Sequence, residues 1–454
     1  MKVLLINPPN LHELQANDPI IVKEQQGISP PLGLLHLASF IQHKHEVRVL
    51  DCQVENNDIN KVREVVSAFE PDVIGMTVMT FTLIDCKLVM DALRFYFPNI
   101  PVVLGGPHPT IYPEETLEAF KCDYVVVGEG EITFSKLLKN IPSERKIWRT
   151  KDFIEDLDAL PYPERELLPI EKYYSVLAKE TPTTTMFSSR GCPFQCTYCD
   201  RPALGKRFRA MSADRTVAEM VKCYLIGIKE IFFYDDTFTV SKKRVLEICR
   251  LIKNSGVRMT WDVRSRVDTI DEEMIKTMKE AGCVRIHFGV ESSEEHVLKA
   301  LNKGITKTQV KNAFTWCRKH GVKSLAYFMI GNPGETENDI IATARFAREL
   351  KPDYMQCTIL TPFPATKLYS QAITSGLLKT DVWREYALNP KKDFQPPVWE
   401  ENFTREELQE NLRLFYKKFY LTPRFILGAV LEIRNLAQLT RYFKAGLSLL
   451  KMSL

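Results

Sequence analysis

The sequence predicts an α/β protein with two parallel-sheet regions and a helical C-terminal region. Short apolar runs of strand type alternate with helical patterns over residues 1–140 and again over 181–375, where six strand–helix units follow one another. Strands that alternate with helices pair in parallel, and the helices cover the sheet faces. A charged, proline-containing linker over 141–180 separates the two regions, and residues 376–454 have helical patterns.

The composition is that of an ordinary globular protein. The 454 residues are 45% hydrophobic and 26% charged, and the formal net charge of +4 gives no indication of nucleic-acid binding. The first apolar run ends at Asn7 and is too short for a signal-peptide core. No run reaches the length of a membrane-spanning helix. The eleven cysteines are spread along the chain, so we expect reduced thiols and a cytoplasmic protein.

In the first region, the alternation predicts a Rossmann-like sheet. Its strands are expected at 2–7, 46–51, 72–78, 101–106 and 123–131. Open parallel sheets bind ligands beyond the carboxyl ends of their strands. The loops at those ends read NPPN, MTVMT, GGPHPT and GEGE, and they hold the glycines and small polar residues of the region. No GxGxxG follows the first strand, so a dinucleotide site is not indicated.

In the second region, six strands predict a partial (β/α)6 barrel. They are expected at 183–190, 229–236, 258–268, 284–292, 323–335 and 353–366. Barrels of this kind carry their chemistry at the carboxyl ends of the strands. Alternation along the third strand places four charged residues on one face, and we expect that face to line the interior because helices cover the outside. These residues are Asp262, Arg264, Arg266 and Asp268.

Three cysteines spaced CxxxCxxC follow the first strand of this second region: Cys192, Cys196 and Cys199. Cysteine thiolates are the usual ligands of iron–sulfur clusters, and three of them leave one iron of a [4Fe–4S] cluster open to another ligand. A structural zinc site would need a fourth ligand, commonly from a second pair, and no second CxxC or HxxxH follows. The other eight cysteines are interpreted as core thiols.

The CxxxCxxC loop, with an aromatic residue before its last cysteine, resembles the signature of the radical S-adenosylmethionine (SAM) enzymes. The resemblance implies a [4Fe–4S] cluster whose open iron binds SAM, and cleavage of SAM to a 5′-deoxyadenosyl radical. Asp235 or Asp236 would contact the amino group of SAM, and Arg264 would pair with its carboxylate. Glu291 would bind the ribose, and Tyr198 and the Gly331 turn would pack near the adenine. The residues so implied are Tyr198, Asp235, Asp236, Arg264, Glu291 and Gly331.

The first region resembles the cobalamin-binding domain that precedes many radical SAM enzymes. Gly105 and Gly106 match a GG pair of that domain, and Thr77 begins an element at the distance of its SxL motif. The positions of the Asp and His of its DxHxxG motif fall on Ile28 and Pro30, so any bound cobalamin would lack a protein imidazole ligand. The resemblance implies that the following residues contact cobalamin: Thr77, Met79, Gly105, Gly106, His108, Gly128 and Glu129. The alternative is a Rossmann-like domain that binds nothing.

The last segment of the C-terminal region alternates basic and apolar residues. Five basic residues, Arg424, Arg434, Arg441, Lys444 and Lys451, are interspersed with Leu, Ile and Phe. A basic amphipathic helix can lie on an anionic membrane surface. One hypothesis is therefore peripheral membrane contact with a lipid-like substrate, and the alternative is a helix that packs on the core or forms a dimer.

Together these resemblances imply a cobalamin-dependent radical SAM enzyme. The first hypothesis is a methyltransferase that C-methylates an unactivated carbon of a small-molecule or lipid-like substrate. The second is a radical ring-forming or oxidative cyclase without methyl transfer, as in the anaerobic magnesium-porphyrin ester cyclases. A third, of another class, is an iron–sulfur redox sensor or binding protein. The enzyme readings imply a reducing partner such as flavodoxin or ferredoxin, and the sequence assigns no catalytic residue on the substrate side.

Overall fold

The computed structural model describes residues 1–14, 27–55, 58–149, 153–199, 205–423 and 425. Within them, the strands form two six-stranded parallel sheets and one two-stranded ribbon. The first sheet contains β1 (Lys2–Asn7), β2 (Glu46–Asp51), β3 (Val73–Thr77), β4 (Val102–Gly105), β5 (Tyr124–Val127) and β6 (Lys146–Arg149). The second contains β7 (Thr183–Met186), β10 (Glu230–Phe233), β11 (Thr260–Ser265), β12 (Cys283–Glu291), β13 (Lys323–Ile330) and β14 (Tyr354–Ile359). The ribbon pairs β8 (Ser189–Arg190) with β9 (Arg209–Ala210).

Helices connect the strands and cover the sheets. In the first region they are α1 (Leu32–Ile41), α2 (Ile59–Phe69), α3 (Leu83–Tyr96), α4 (Pro107–Ile111), α5 (Pro113–Phe120) and α6 (Gly130–Lys139). In the second they are α7 (Ala213–Leu225), α8 (Lys242–Ser255), α9 (Glu272–Glu280), α10 (Glu295–Ala300), α11 (Lys307–His320) and α12 (Glu337–Leu350). The C-terminal region contains α13 (Lys367–Thr374), α14 (Val382–Leu388) and α15 (Arg405–Tyr420).

The first sheet has the order β2-β1-β3-β4-β5-β6 and is buried on both faces. Along β1, Val3 and Leu5 join one core while Leu4 and Ile6 join the other, as period-two alternation requires. An open parallel sheet needs helices on both faces, so the predicted Rossmann-like arrangement is confirmed. The edge strand β6 differs from the prediction, which assigns these residues to the linker. Its sequence KIWR is short and has exposed ends, so the pattern does not indicate a strand.

The second sheet runs β7-β10-β11-β12-β13-β14 in sequence order, which confirms the predicted six-unit partial barrel. Its outward side chains, among them Trp261, Phe288 and Phe328, are fully buried against the helices. Along β14 the inward residues Tyr354, Gln356 and Thr358 are half exposed, whereas the outward residues are buried. The inward face of β14 is therefore partly accessible, whereas its outward face belongs to the core.

The described part of the C-terminal region packs on both sheets. On α15 the hydroxyl of Tyr416 bonds both the backbone N–H and the C=O of Cys357 in β14, at 3.1 and 3.0 Å. On α14, Trp383 is fully buried in a core of the first sheet. Apart from Phe425, the predicted basic amphipathic segment from Arg424 onward lies outside the described residues, and membrane contact stays a prediction. In the part of the chain that is described, none of the helices combines the length and the apolar character that crossing a membrane requires.

Candidate active site

The CxxxCxxC cysteines lie in a loop that follows β8, at the carboxyl end of the second sheet. Cys192 is buried, and Cys196 and Cys199 are partly exposed; none of the three forms a disulfide among the described residues. The Sγ of Cys192 lies 3.6 Å from Thr237 Oγ1, and the Sγ of Cys196 lies 3.5 Å from Arg266 Nη1. Among the described residues no three Cys, His, Asp or Glu side chains are grouped as ligands of one metal ion. A [4Fe–4S] cluster bonds each thiolate to a different iron, so its ligands need not meet at one point.

The other eight cysteines are buried, which confirms their interpretation as core thiols. Burial raises the pKa of Cys249 to about 12 and that of Cys223 to about 11. Because the thiolate is the metal ligand, such thiols are unsuited to bind iron. The cysteine loop is thus chemically distinct from the rest of the cysteines.

Asp235 anchors the segment that leads into the cysteine loop. Its fully buried carboxylate accepts hydrogen bonds from the backbone N–H of Ser188 at 2.7 Å and from the hydroxyls of Ser188 and Ser189 at 2.7 and 2.5 Å. Burial raises the pKa of this carboxyl, although Arg244 and the serine hydrogen bonds oppose the effect. Asp236 stands at the partly exposed rim beside Thr237, which touches Cys192. Of the two predicted aspartates, Asp235 is therefore already bonded to Ser188 and Ser189.

Tyr198, Glu291 and Lys303 form a hydrogen-bonded triangle beside the cysteine loop. The Tyr198 hydroxyl donates to Glu291 Oε1 at 2.9 Å, and Lys303 Nζ donates to the same oxygen at 2.8 Å and to the Tyr198 hydroxyl at 3.1 Å. Glu291 has a φ of 65°, and the β12–β13 register shifts between Gly289 and Glu291. Bulges and left-handed residues re-aim side chains at functional sites. Sequence reasoning missed Lys303, since nothing local marks a lysine in the turn after α10.

The structure separates the two arginines that the sequence placed on one face. The sequence predicts a strand over 258–268, but β11 ends at Ser265, so Arg266 belongs to the following turn. Arg266 contacts Cys196, donates to both carboxylate oxygens of Asp268 at 2.9 and 2.8 Å, and lies over the ring of Phe194. Arg264 lies deeper in the barrel and donates to the Phe233 carbonyl at 3.2 Å. Arg266, rather than Arg264, is the arginine at the cysteines.

The protein's own side chains hold the turn after β13 in place without a ligand. Gly331 has a φ of 73°, which favours glycine, and a Cβ there would meet Leu408 of α15 at 2.8 Å. The backbone N–H and the side-chain amide of Asn332 donate to Glu335 Oε2 at 3.0 and 3.1 Å. Burial raises the pKa of Glu335 to about 7. The predicted tight turn at Gly331 is present, with its backbone at the carboxyl edge of the barrel.

A cavity of about 210 Å3 opens at the carboxyl end of the first sheet. Its lining is mainly apolar and glycine-rich, and the predicted residues among it are Thr77, Gly105, Gly106, Gly128 and Glu129. A Cβ on Gly33, at the start of α1, would meet nothing within 4 Å. His36 of α1 also lines the cavity, and its buried Nε2 has no hydrogen-bond partner among the residues that the structure describes. A lone histidine in the apolar run LGLLHLASFI is a signal that sequence reasoning left unused.

Two of the residues predicted to contact cobalamin stand outside this cavity lining. Met79 is 42% exposed, while His108 is fully buried and its Nδ1 bonds the Thr80 hydroxyl at 3.1 Å. Burial lowers the pKa of His108 to about 3, so its ring is neutral. The cavity thus gives no support for the cobalamin contacts that the resemblance implies for Met79 and His108.

A buried ion-pair cluster joins the two regions. Arg190 donates to Glu129 at 3.0 Å and to Glu131 at 2.6 Å, and Arg209 donates to the two oxygens of Glu129 at 3.0 and 2.9 Å. Burial disfavours the ionised form, but Arg209 and Arg190 hold the pKa of Glu129 below its ordinary value. Glu129, predicted as a cobalamin contact, is therefore committed to two arginines of the ribbon. The sequence signal that could have indicated this ion pair is the charge of Arg190, which follows the uncharged residues 183–189.

Comparison with known proteins assigns both regions. The radical SAM superfamily model matches residues 186–347, and the B12-binding domain model matches residues 19–138. An uncharacterized methyltransferase of Pyrococcus horikoshii is 36% identical over 95% of each chain. The anaerobic magnesium-protoporphyrin IX monomethyl ester cyclase of Rubrivivax gelatinosus is 26% identical over 94% of this chain and 78% of that protein.

Solved structures share the fold. The radical SAM methyltransferase TsrM from Kitasatospora setae, with cobalamin and a [4Fe–4S] cluster bound, superposes with a TM-score of 0.67 over 82% of this chain and 75% of its own, at 19% identity. The cobalamin-dependent radical SAM enzyme OxsB has a TM-score of 0.67 over 99% of this chain and 72% of its own, at 16% identity. The two parallel sheets and their order in the chain thus match cobalamin-binding radical SAM proteins.

The fold and the cysteine loop define a radical SAM enzyme with a B12-binding domain. The chain belongs to this family of cobalamin-dependent radical SAM enzymes, with SAM, a [4Fe–4S] cluster and cobalamin as its cofactors. The residues present fit these groups. The three cysteines of the loop, none of them in a disulfide, can supply thiolates to iron, and the glycine-lined cavity, with a His36 nitrogen that lacks a partner among the described residues, suits a flat, largely apolar part of cobalamin. Enzymes of this kind act on small molecules and need a reductant.

Proposed function

We propose that the protein C-methylates an unactivated carbon of a small-molecule or lipid-like substrate. One SAM molecule would be cleaved reductively at a cluster on Cys192, Cys196 and Cys199, and the 5′-deoxyadenosyl radical would abstract the substrate hydrogen. Cobalamin, when bound, supplies a carrier that passes the methyl group of a second SAM to the substrate carbon. The observation that carries the proposal is that the cavity of the first region and the cysteine loop adjoin at one buried ion pair, between Glu129 and Arg190.

The protein's own residues would orient SAM beside the cysteine loop. Glu291, aimed by its left-handed backbone, would accept hydrogen bonds from the ribose, and Lys303 holds that carboxylate in place. Asp236 would face the amino group, and the backbone of the Gly331 turn would lie along the adenine with Tyr198 nearby. The pre-formed hydrogen bonds within these groups mean that little reorganisation accompanies binding.

The test is anaerobic reconstitution with iron, sulfide and cobalamin, followed by reduction in the presence of SAM that carries a deuterated methyl group. Formation of 5′-deoxyadenosine and transfer of the labelled methyl to a component of a small-molecule extract are expected. Cys192→Ala should lose iron and 5′-deoxyadenosine, and the control Cys249→Ala, a buried core thiol, should retain both. A reconstituted, reduced protein that never forms 5′-deoxyadenosine would instead be an iron–sulfur sensor or binding protein.

A second candidate is a radical cyclase that acts without methyl transfer. The similarity to the magnesium-protoporphyrin IX monomethyl ester cyclase over 94% of this chain favours it as the runner-up. The same labelling experiment separates the two, because a cyclase forms 5′-deoxyadenosine and a product without the labelled methyl. Flavodoxin or ferredoxin would serve as the electron donor in either case.

A further inference from the structure

The barrel interior holds several cations, and almost all of them are paired with carboxylates. Arg285, at the base, donates to Asp262 at 2.6 Å and lies 3.3 Å from Glu230. At the rim, Lys303 pairs with Glu291, and Arg266 pairs with Asp268. Pairing of this kind is what buried charges require, since an isolated charge away from water is costly.

Arg264 is the exception on this inward face. Its guanidinium lies 3.8 Å over the ring of Tyr234 and donates to the Phe233 carbonyl, but it has no carboxylate partner among the described residues. The side chain is half buried, and arginine keeps its charge at all accessible pH values. One hydrogen bond to a neutral carbonyl leaves most of the five N–H donors available to a ligand.

The depth of Arg264 separates it from the cysteine loop. Arg266 touches Cys196, and Arg264 precedes it by two residues along the chain. Arg264 belongs to β11, whereas Arg266 lies beyond the end of that strand. Arg264 stacks on Tyr234, and the Tyr234 hydroxyl lies 3.4 Å from Ser29 Oγ of the first region. Arg264 thus stands below the cofactor loop, on the side of the barrel that meets the cobalamin-binding domain.

Tyr327 supplies a second polar group near Arg264. Its hydroxyl bonds His287 Nδ1 at 2.9 Å, and His287 Nε2 lies 3.1 Å from Asp262. Burial raises the pKa of Tyr327 to about 12 against the opposing effect of the Arg264 charge, so the hydroxyl keeps its proton. The contact with His287 fixes the hydroxyl on the inward face of the barrel.

We propose that Arg264, on the same inward face as Tyr327, binds an oxyanion of the substrate, so that the substrate is an organic carboxylate or a phosphate or phosphonate ester. The inference rests on the proposed function, since it names the substrate class of that same site. A planar carboxylate and a tetrahedral phosphate-type group share the bidentate geometry that arginine favours. The carboxylate of SAM is the competing source of this chemistry, and the arginine at its level is Arg266.

The test is anomalous diffraction from crystals of the cluster- and cobalamin-loaded protein with SAM bound. Separate soaks with selenate, a tetrahedral oxyanion, and 4-bromobenzoate, a carboxylate, locate an anion by its selenium or bromine signal. We expect density beside Arg264 for one probe, and the probe that binds assigns the source. The density should be absent in Arg264→Gln and present in Arg345→Gln, which removes an exposed arginine of α12.

Two results would overturn the inference. One is the absence of both anions from Arg264 in the wild-type crystals. The other is a loss of SAM affinity of about tenfold or more in Arg264→Gln, measured by equilibrium binding, because it would assign the arginine to SAM. Failure of the proposed function would appear elsewhere, as a lack of 5′-deoxyadenosine or of methyl transfer, and would leave the anion density unchanged.

Discussion

Arg190 lies two residues before the first cluster cysteine and donates a 3.0 Å hydrogen bond to Glu129, in the loop after the fifth strand of the cobalamin-binding domain. Both side chains are almost completely buried. A charge-assisted contact of this kind is short and strong in a dry interface. It makes the position of the cysteine loop depend directly on the other cofactor domain.

Removing one partner should therefore be costly. Glu129→Gln leaves Arg190 and Arg209 with weakened pairing, and we expect a loss of about 3 kcal/mol in the free energy of unfolding, measured by urea denaturation. Glu155→Gln is the matched control, because its pair with Arg207 is exposed on both sides and should matter by less than about 1 kcal/mol. Equal stability of the two variants would argue against a buried clamp.

Filling the cavity should displace cobalamin without harming the fold. Gly33 is helical and lines the cavity, and its Cβ would meet nothing within 4 Å. Gly33→Leu should bind cobalamin at least about tenfold more weakly. The affinity is measured by titration, with the visible absorption of cobalamin as the signal. The fold should hold or gain slightly, since glycine is a poor helix residue by about 0.5–1 kcal/mol. The control Ser67→Leu, exposed on α2, should leave cobalamin affinity unchanged; unchanged affinity in Gly33→Leu as well would separate the cavity from cobalamin.

The Glu291–Lys303 pair needs the glycine beneath it. A Cβ on Gly289 would lie 2.5 Å from Glu291 Oε1 and 2.7 Å from Lys303 Nζ. Gly289→Ala should push the carboxylate off its position and weaken SAM binding by about tenfold, measured by equilibrium dialysis. The control is Gly227→Ala, in the turn before β10, where the glycine has a φ of 89°. This variant should lower stability through backbone strain but leave SAM affinity intact. Matching SAM affinities for the two variants would count against the proposed role of Glu291.

Glu335 should make stability fall as pH rises. Its folded pKa, raised by burial to about 7, lies above the ordinary value of 4.5. The folded state therefore binds more protons between these values, and the contribution is complete below the ordinary pKa and lost as pH passes the folded one. Relative to Glu335→Gln, the wild type should lose about 2 kcal/mol of unfolding free energy between about pH 5.5 and about pH 8. Parallel pH profiles of the two proteins would show that this carboxyl does not ionise in that range.

Local patterns in the sequence determined the fold class and the cofactors. Alternating strand and helix patterns set two parallel sheets, because side-chain periodicity reports which face is buried. The spacing of Cys192, Cys196 and Cys199 sets a cluster loop, since three thiolates within eight residues can reach one cluster without long-range help. Gly105 and Gly106 marked the loop that now lines the cavity.

Tertiary structure alone decided which charges meet. Glu129 pairs with arginines 61 and 80 residues away, and Lys303 reaches Tyr198 across 105 residues, so no local spacing could reveal either contact. The choice between Arg264 and Arg266 depended on where β11 ends, which the pairing of β11 with its neighbours sets. Periodicity is a property of one segment, whereas an ion pair depends on the packing of two, and that packing determines which charged residues meet.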